Sequence, residues 1–450
     1  MYDLLLTHAT IVNADEVVTG SVAVQSGKIS GIFPDCHEAP TRETLDLTGK
    51  LVFPGLTDCH VHFNTPGYSH RETFACGTAA AAVGGIATIL DMPMLNRPPV
   101  TDAETFVHKH ALVQPDAATD FGFWGALVNH NFDRLQGLDT VGALAYKCFM
   151  CDPGDNYTRL TNEKIGLALE HLKPFDGLTG FHCEDEEMLS ALQAEKMREK
   201  RFSRRDFLDA HPVAAELKAV QDVLALAKQR GARIHICHVS HPIVAQAVKQ
   251  AKADGVRVTA ETCPQYLVFS EDDLLEKGML FKCTPPLRKK EDAEALWEYV
   301  IDGTIDCIGS DHSPAAPCEK TEEANGAFGA WGGLGGVQTT VQVLFDQIVH
   351  RRRQSPTLLA KLMGQGPARV FSVYGRKGAI APGFDADFTI IDPEAAWQIT
   401  EDSLLYRNPV SAFCGVSGQG LPVRTIIRGQ TAAENGAILQ RRGRLVTKQA

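Results

Sequence analysis

Eight short apolar runs, each followed by a longer stretch of helical texture, constrain this fold more than any other feature of the chain. They are Val52 to Thr57, Ile86 to Asp91, Phe121 to Leu127, Ala143 to Phe149, Leu178 to His182, Ile234 to Val239, Val256 to Glu261 and Ile305 to Ser310. The runs are continuous rather than alternating, which is the pattern of parallel strands buried on both faces. Segments such as Pro212 to Gln229 and Pro242 to Ala253 carry helical spacing between them. This alternation predicts an α/β fold, a (β/α)8 barrel of the TIM type.

The two ends read differently. Residues 1–53 alternate apolar and polar positions, with strands expected at Leu4 to Leu6, Thr10 to Val12 and Ser21 to Val24 and turns at Gly20 and Ser26-Gly27. The same texture returns at Gly378 to Ile380, Ala386 to Ile391 and Val423 to Gly429. The expected organisation is a barrel over 54–377 and a small β-sandwich domain built from both termini, 1–53 and 378–450.

Composition narrows the classes of partner. A 450-residue chain with 44% hydrophobic residues can bury a large core, which excludes wholesale disorder. Its formal charge is −11, from 44 basic and 55 acidic residues, and its longest basic runs are Arg351 to Arg353 and Lys289-Lys290. Such a chain is poorly suited to a phosphate backbone, so no nucleic-acid partner is expected. No run of about 18 apolar residues exists, so no membrane span is expected. Met1-Tyr2-Asp3-Leu4 lacks the basic and then apolar start of an export signal, and a cytoplasmic location is expected. The twelve cysteines show no zinc-ribbon pairing and are expected to be reduced and mostly buried.

Function enters through what ends the runs. The first leads into Asp58-Cys59-His60-Val61-His62, the fourth holds Lys147, the fifth ends at His182, the sixth contains His238 and the eighth leads into Asp311. In a barrel the carboxyl ends of the strands share one rim, where active sites form. His60 and His62 are two apart, so on a strand both imidazoles face the same side. Imidazole and carboxylate are ligands for zinc and similar divalent ions, and four strand ends carrying them predict a metal site. Lys147 lies in an apolar run, where an ammonium is costly. Two readings stand for it: a structural lysine paired with a carboxylate, or a neutral amine that takes up CO2 as a carbamate and bridges two cations. The rest of the metal set favours the second.

Of the remaining histidines, His235 reads as a satisfied core residue, while His241 follows a strand end. The segment Gly329 to Gly336 is no P-loop, since no Gly-Lys-Ser/Thr follows it. It is either a loop needing unusual backbone angles or a surface of bare peptide groups facing a flat polar substrate.

Pro54-Gly55-Leu56-Thr57-Asp58-Cys59-His60-Val61-His62 resembles the PGxxDxHxH signature of the cyclic amidohydrolases, which include dihydroorotase, dihydropyrimidinase (hydantoinase) and allantoinase. The resemblance spans essentially the whole chain. It takes in Lys147-Cys148-Phe149, His182-Cys183-Glu184, Cys237-His238-Val239-Ser240, Glu261 to Pro264, Thr284 to Arg288, Gly309 to Pro314 and Gly383 to Asp387. It implies that His60, His62, carboxylated Lys147 (N6-carboxylysine), His182, His238 and Asp311 hold two divalent ions. Zinc is the expected metal, with cobalt, manganese and iron as alternatives, and CO2 is needed for the lysine. Asp311 is the implied catalytic proton carrier. Thr284 and the backbone near Cys283 and Gly332 are the implied substrate contacts, with Asn64, His70 and Asn96 as weaker ones.

Dihydroorotases similar to this chain carry Arg at the position of Asn64 and Asn at that of Met94. An amide cannot replace a guanidinium fork, which argues against an anionic ring substrate. Lys282 to Pro286, Ser310 to Pro314 and Ala330 to Gly333 look most like the allantoinase branch, whose substrate is a small cyclic ureide. Gln265 and His241 depart from it, standing where those enzymes have His and Ser. Hydantoinase, dihydropyrimidinase and dihydroorotase are the alternative activities, and a non-catalytic assembly partner is the alternative of a different class. The resemblance also implies a homotetramer. Asn64 to Glu72 and Met150 to Tyr157 are expected as lids.

Overall fold

The computed structural model describes residues 1–35, 39–154, 157–322 and 326–448. Eight parallel strands follow one another around a barrel: β6 (Leu56–Val61), β7 (Ile86–Asp91), β8 (Asp120–Ala126), β9 (Ala145–Phe149), β10 (Thr179–His182), β11 (Ile234–Ile236), β12 (Val258–Thr262) and β13 (Cys307–Ile308). Each pairs in parallel with the next. β13 is only two residues long, so closure onto β6 relies on other bonds. The Asp58 carboxylate accepts from Ser310 N at 2.9 Å, and His62 N donates to His312 O at 2.8 Å. Burial, the largest effect on it, pushes the Asp58 carboxyl up to about 6.

Strands from both ends form one mixed nine-stranded sheet. From the start of the chain come β1 (Tyr2–Val12), β2 (Val17–Gln25), β3 (Lys28–Phe33), β4 (Thr41–Asp46) and β5 (Leu51–Pro54). From its end come β14 (Phe388–Gln398), β15 (Ser417–Ile427), β16 (Gln430–Glu434) and β17 (Ala437–Ile438). The joint is β5, which is parallel to β1 and antiparallel to β14. Leu4, Leu6, Ile11, Val22, Phe388 and Ile426 share one buried core, so both ends must be present for either to be covered. Among the described residues no helix is long and apolar enough to cross a membrane.

Three expectations are corrected here. The run Val52 to Thr57 is not one barrel strand, because the chain leaves the terminal sheet at Pro54 and enters the barrel at Leu56. Gly55 permits the change, since a Cβ there would lie 2.5 Å from Asp387 Cβ and 2.8 Å from Ala87 Cβ. Gly378 to Ile380 forms no strand; the Asn13 side chain satisfies Ile380 instead, accepting from its N at 2.8 Å and donating to its O at 3.1 Å. The last described stretch leaves the sheet and runs beside β8, with Val446 N donating to Phe121 O at 2.7 Å. Of the cysteines, eight are buried and Cys318 is exposed, while Cys36 lies outside the described residues.

The two units are locked by a buried ion cluster. Lys377 Nζ lies 2.6 Å from Asp120 on β8 and 3.0 Å from Asp385, and it also bonds Asp387. Without Lys377, Asp387 is left buried with no cation among the described residues, while Arg428 still faces Asp120 and Lys28 and Arg376 still face Asp385. Lys377→Met is therefore expected to cost about 3–5 kcal/mol of stability, read as a lower denaturation midpoint.

Candidate metal centre and its cavity

Strand direction does the first part of the assembly. β6, β9 and β10 and the segments following β11 and β13 end at one rim, around a cavity of about 430 Å³. His60, His62, Lys147, His182, His238 and Asp311 all line it. A larger groove of about 1180 Å³ lies elsewhere, lined by Arg424, Arg428 and Arg441 to Arg444 among others, and gathers none of these donors.

The donors fall into two groups. Asp311 Oδ1 lies 3.3 Å from His60 Nε2 and 3.2 Å from His62 Nε2, and the ligand atoms of these three residues are within 4.8 Å of one another. Across the cavity floor, His182 Nδ1 and His238 Nε2 are 3.0 Å apart. The far ring nitrogens are tied back. His60 Nδ1 bonds Glu261 and His182 Nε2 bonds Glu184 Oε2 at 2.8 Å, the carboxylate–histidine pairing that fixes a ligand's tautomer and orientation. His182 also stacks on Phe149, with ring centroids 5.1 Å apart.

Two of the donors carry backbone strain. His238 and Asp311 have φ of 37° and 47°, in the left-handed region that non-glycine residues avoid. Such strain persists where the surroundings over-determine it, typically at functional sites. Part of that support is Gln265, whose amide donates to Ser310 O at 3.3 Å beside Asp311.

Electrostatics suits cation binding. Burial pushes the His62 imidazole below its ordinary value and that of His238 well below, so both are neutral. Burial pushes the Asp311 carboxyl up, but His60 and His62 outweigh it and hold it low, so it is ionised. Lys147 is 1% exposed and, among the described residues, no carboxylate pairs with it; Nζ sits 5.1 Å from the Phe149 ring centroid. By contrast, buried Lys109 pairs with Asp91 at 2.6 Å. The carboxylate partner that a purely structural lysine needs is missing among the described residues. The donor set thus fits divalent ions. The buried Asp120, Asp385 and Asp387 group does not, because Lys377 occupies it.

Of the residues expected to meet substrate, Thr284 and Gly332 line the cavity. They approach closely: a Cβ on Gly332 would lie 3.3 Å from Thr284 Cγ2. The side chains of Cys283, Asn64, Asn96 and His70 do not line it. The contact expected at Cys283 is through its backbone, and its side chain turns into the hydrophobic core, while Asn96 spends its amide on Met92 O at 3.2 Å and Met94 O at 2.8 Å. Asn64 is fully buried, at φ 53°. His70 is exposed, 3.7 Å from Glu319. His241 caps the helix Pro242–Ala253 and lies 3.2 Å from Asp292, away from the cavity. His235 is a core residue as expected, bonded to Thr259 at 2.8 Å.

The glycine-rich segment forms a wall. His312 Nδ1 accepts from Gly336 N at 3.1 Å, and Trp331 donates to Ser313 O at 3.0 Å. The Arg71 guanidinium packs 4.0 Å over Trp331, so the Asn64 to Glu72 segment braces this wall from outside. Cys151, Asp152 and Pro153 line the cavity from the second expected lid, whose Asp155 and Asn156 lie outside the described residues. Sequence reading missed Glu184, Glu261, Lys282 and Trp331. The signal for Glu261 was available: a carboxylate ending an apolar run, as His182 ends another.

The profile of the amidohydrolase family matches residues 51–432. The allantoinase of Salmonella choleraesuis is 36% identical over 454 residues, covering 99% of both chains. Among solved structures, the L-hydantoinase (dihydropyrimidinase) of Arthrobacter aurescens superposes with a TM-score of 0.97 at 29% identity, covering 100% of each chain. The dihydropyrimidinase of Brevibacillus agri gives 0.92 at 25% identity, covering 100% of this chain and 99% of its own.

Proposed function

The chain belongs to the amidohydrolase family, and from that membership we propose that it hydrolyses the ring amide of a cyclic ureide, converting allantoin to allantoate. The observation that carries the substrate is the 36% identity to an allantoinase across 99% of both chains. It is a hydrolase of cyclic amide C–N bonds.

His60, His62, His182, His238, Asp311 and a carboxylated Lys147 would hold two divalent ions in this cavity. Zinc is the proposed metal, with cobalt, manganese or iron as alternatives. Bound there, such ions supply a water ionised near neutral pH and a Lewis acid for the ring carbonyl. The chain's own residues do the rest. Asp311, ionised before reaction, takes the proton of the attacking water on its carboxylate and returns it to the leaving ring nitrogen. Glu261 and Glu184 keep His60 and His182 in fixed tautomers through the cycle. Thr284 and the peptide groups at Gly332 hold the flat ureide against the cavity wall. The proposal includes a place in purine ureide breakdown, a cytoplasmic location and a homotetramer.

Hydantoin or dihydropyrimidine opening is the second reading, favoured by the TM-score of 0.97 to an L-hydantoinase. A non-catalytic assembly role is disfavoured, because all six expected donors line one cavity. Assay of the metal-loaded protein on allantoin, hydantoin, dihydrouracil and dihydroorotate decides. The highest kcat/KM is expected for allantoin, with dihydroorotate inert because no arginine stands at position 64. Preference for hydantoin or dihydrouracil would transfer the chain to the second reading.

A further inference from the structure

Lys282 is a buried cation that the reaction as described does not use. It is 4% exposed, lines the cavity and, among the described residues, has no carboxylate partner. Its Nζ donates to Phe328 O at 3.2 Å and to Ala330 O, and sits 4.6 Å from the centroid of the Phe207 ring. An ammonium has three donors, and two backbone carbonyls account for only two. Burial pushes the amine down to about 8, which still leaves it mostly charged at neutral pH.

Its main chain is held in place. Lys320 Nζ donates to Lys282 O at 3.0 Å and to Trp331 O at 3.1 Å, clamping the segment to the glycine-rich wall. Lys282 and Thr284 both line the cavity while Cys283 between them turns into the core. Two side chains of one short segment thus present a hydroxyl and an ammonium to the same space. With the ring lying on Thr284 and Gly332, the ammonium shares its cavity, over the Phe207 ring, and Phe328 also lines that cavity.

Building on the ureide reading, we propose that Lys282 determines specificity by donating a hydrogen bond to the carbonyl oxygen of a ureido substituent on the ring. The cavity then selects a ring that carries an acceptor side group over a bare or alkyl-substituted one. Sites built to bond a polar substrate group discriminate strongly against analogues that lack it, since their own polar group is left unpaired.

The test compares allantoin with hydantoin and 5-methylhydantoin, each measured as a substrate or, where it is not opened, as a competitive inhibitor. Lys282→Met is expected to lower kcat/KM for allantoin about 10- to 100-fold, mainly through KM, and to change the two analogues by less than about 3-fold. Lys282→Arg, which keeps the cation, should retain the preference. Should Lys282→Met not fold, Lys282→Gln is read by the same ratio. An equal loss for all three rings, or no loss for allantoin, overturns the inference and leaves Lys282 as a support for the loop carbonyls. Wild-type protein that opens hydantoin but not allantoin overturns the substrate reading instead.

Discussion

Replacing Asp311 with Asn is expected to lower ring opening by at least about 10³-fold while the protein stays folded and keeps its metal. The amide keeps a carbonyl oxygen near His60 and His62, which approach the native carboxylate at 3.3 and 3.2 Å. What it loses is the capacity to take a proton from water and return it to the ring nitrogen. Native Asp311 is ionised despite burial because two histidines hold its carboxyl low, so it starts the reaction in the accepting form. Steady-state turnover of allantoin, with metal content measured on the same preparation, checks this. Near-normal turnover with metal bound would remove the proton-carrier role.

Lys147→Ala is expected to have an effect as large for a different reason. With no carboxylate beside it, Lys147 is proposed to become an anion itself and to hold two cations together. Without it, His60, His62, His182, His238 and Asp311 offer one negative charge to two divalent ions, and their mutual repulsion goes uncompensated. Both metal content and activity should fall to near background, and added metal should restore little. Full metal occupancy in the variant would rule out the bridge.

The barrel was legible in the sequence because parallel strands buried on both faces must be continuously apolar, and polar residues ending such runs stand out. His182 and Asp311 are visible for that reason. The domain boundary near residue 54 was legible, but the split of the run Val52 to Thr57 between two sheets was not, since one apolar run serves both and only the three-dimensional crowding around Gly55 reveals the switch. Asn96 reads as a substrate contact through its place in the chain, yet its amide is used in a local turn, whereas the buried Asn64 amide has no hydrogen-bond partner among the described residues. Periodicity cannot distinguish an amide facing a cavity from one satisfying a neighbouring carbonyl. Conversely, Lys282 was hidden by its apolar neighbours, and its importance depends on carbonyls at Phe328 and Ala330, far along the chain. His241 departs from the related pattern without touching the site, because its ring caps a helix.

The central claim is that six side chains from distant segments, one of them chemically modified, surround a pair of cations. Anomalous diffraction from crystals of metal-saturated protein tests it most directly. The account predicts two ions per chain, one against His60, His62 and Asp311 and the other against His182 and His238, with added density of a carboxylate on Lys147 Nζ between them. A bare Lys147 ammonium in metal-saturated, active protein, or ions bound away from these donors, would contradict it.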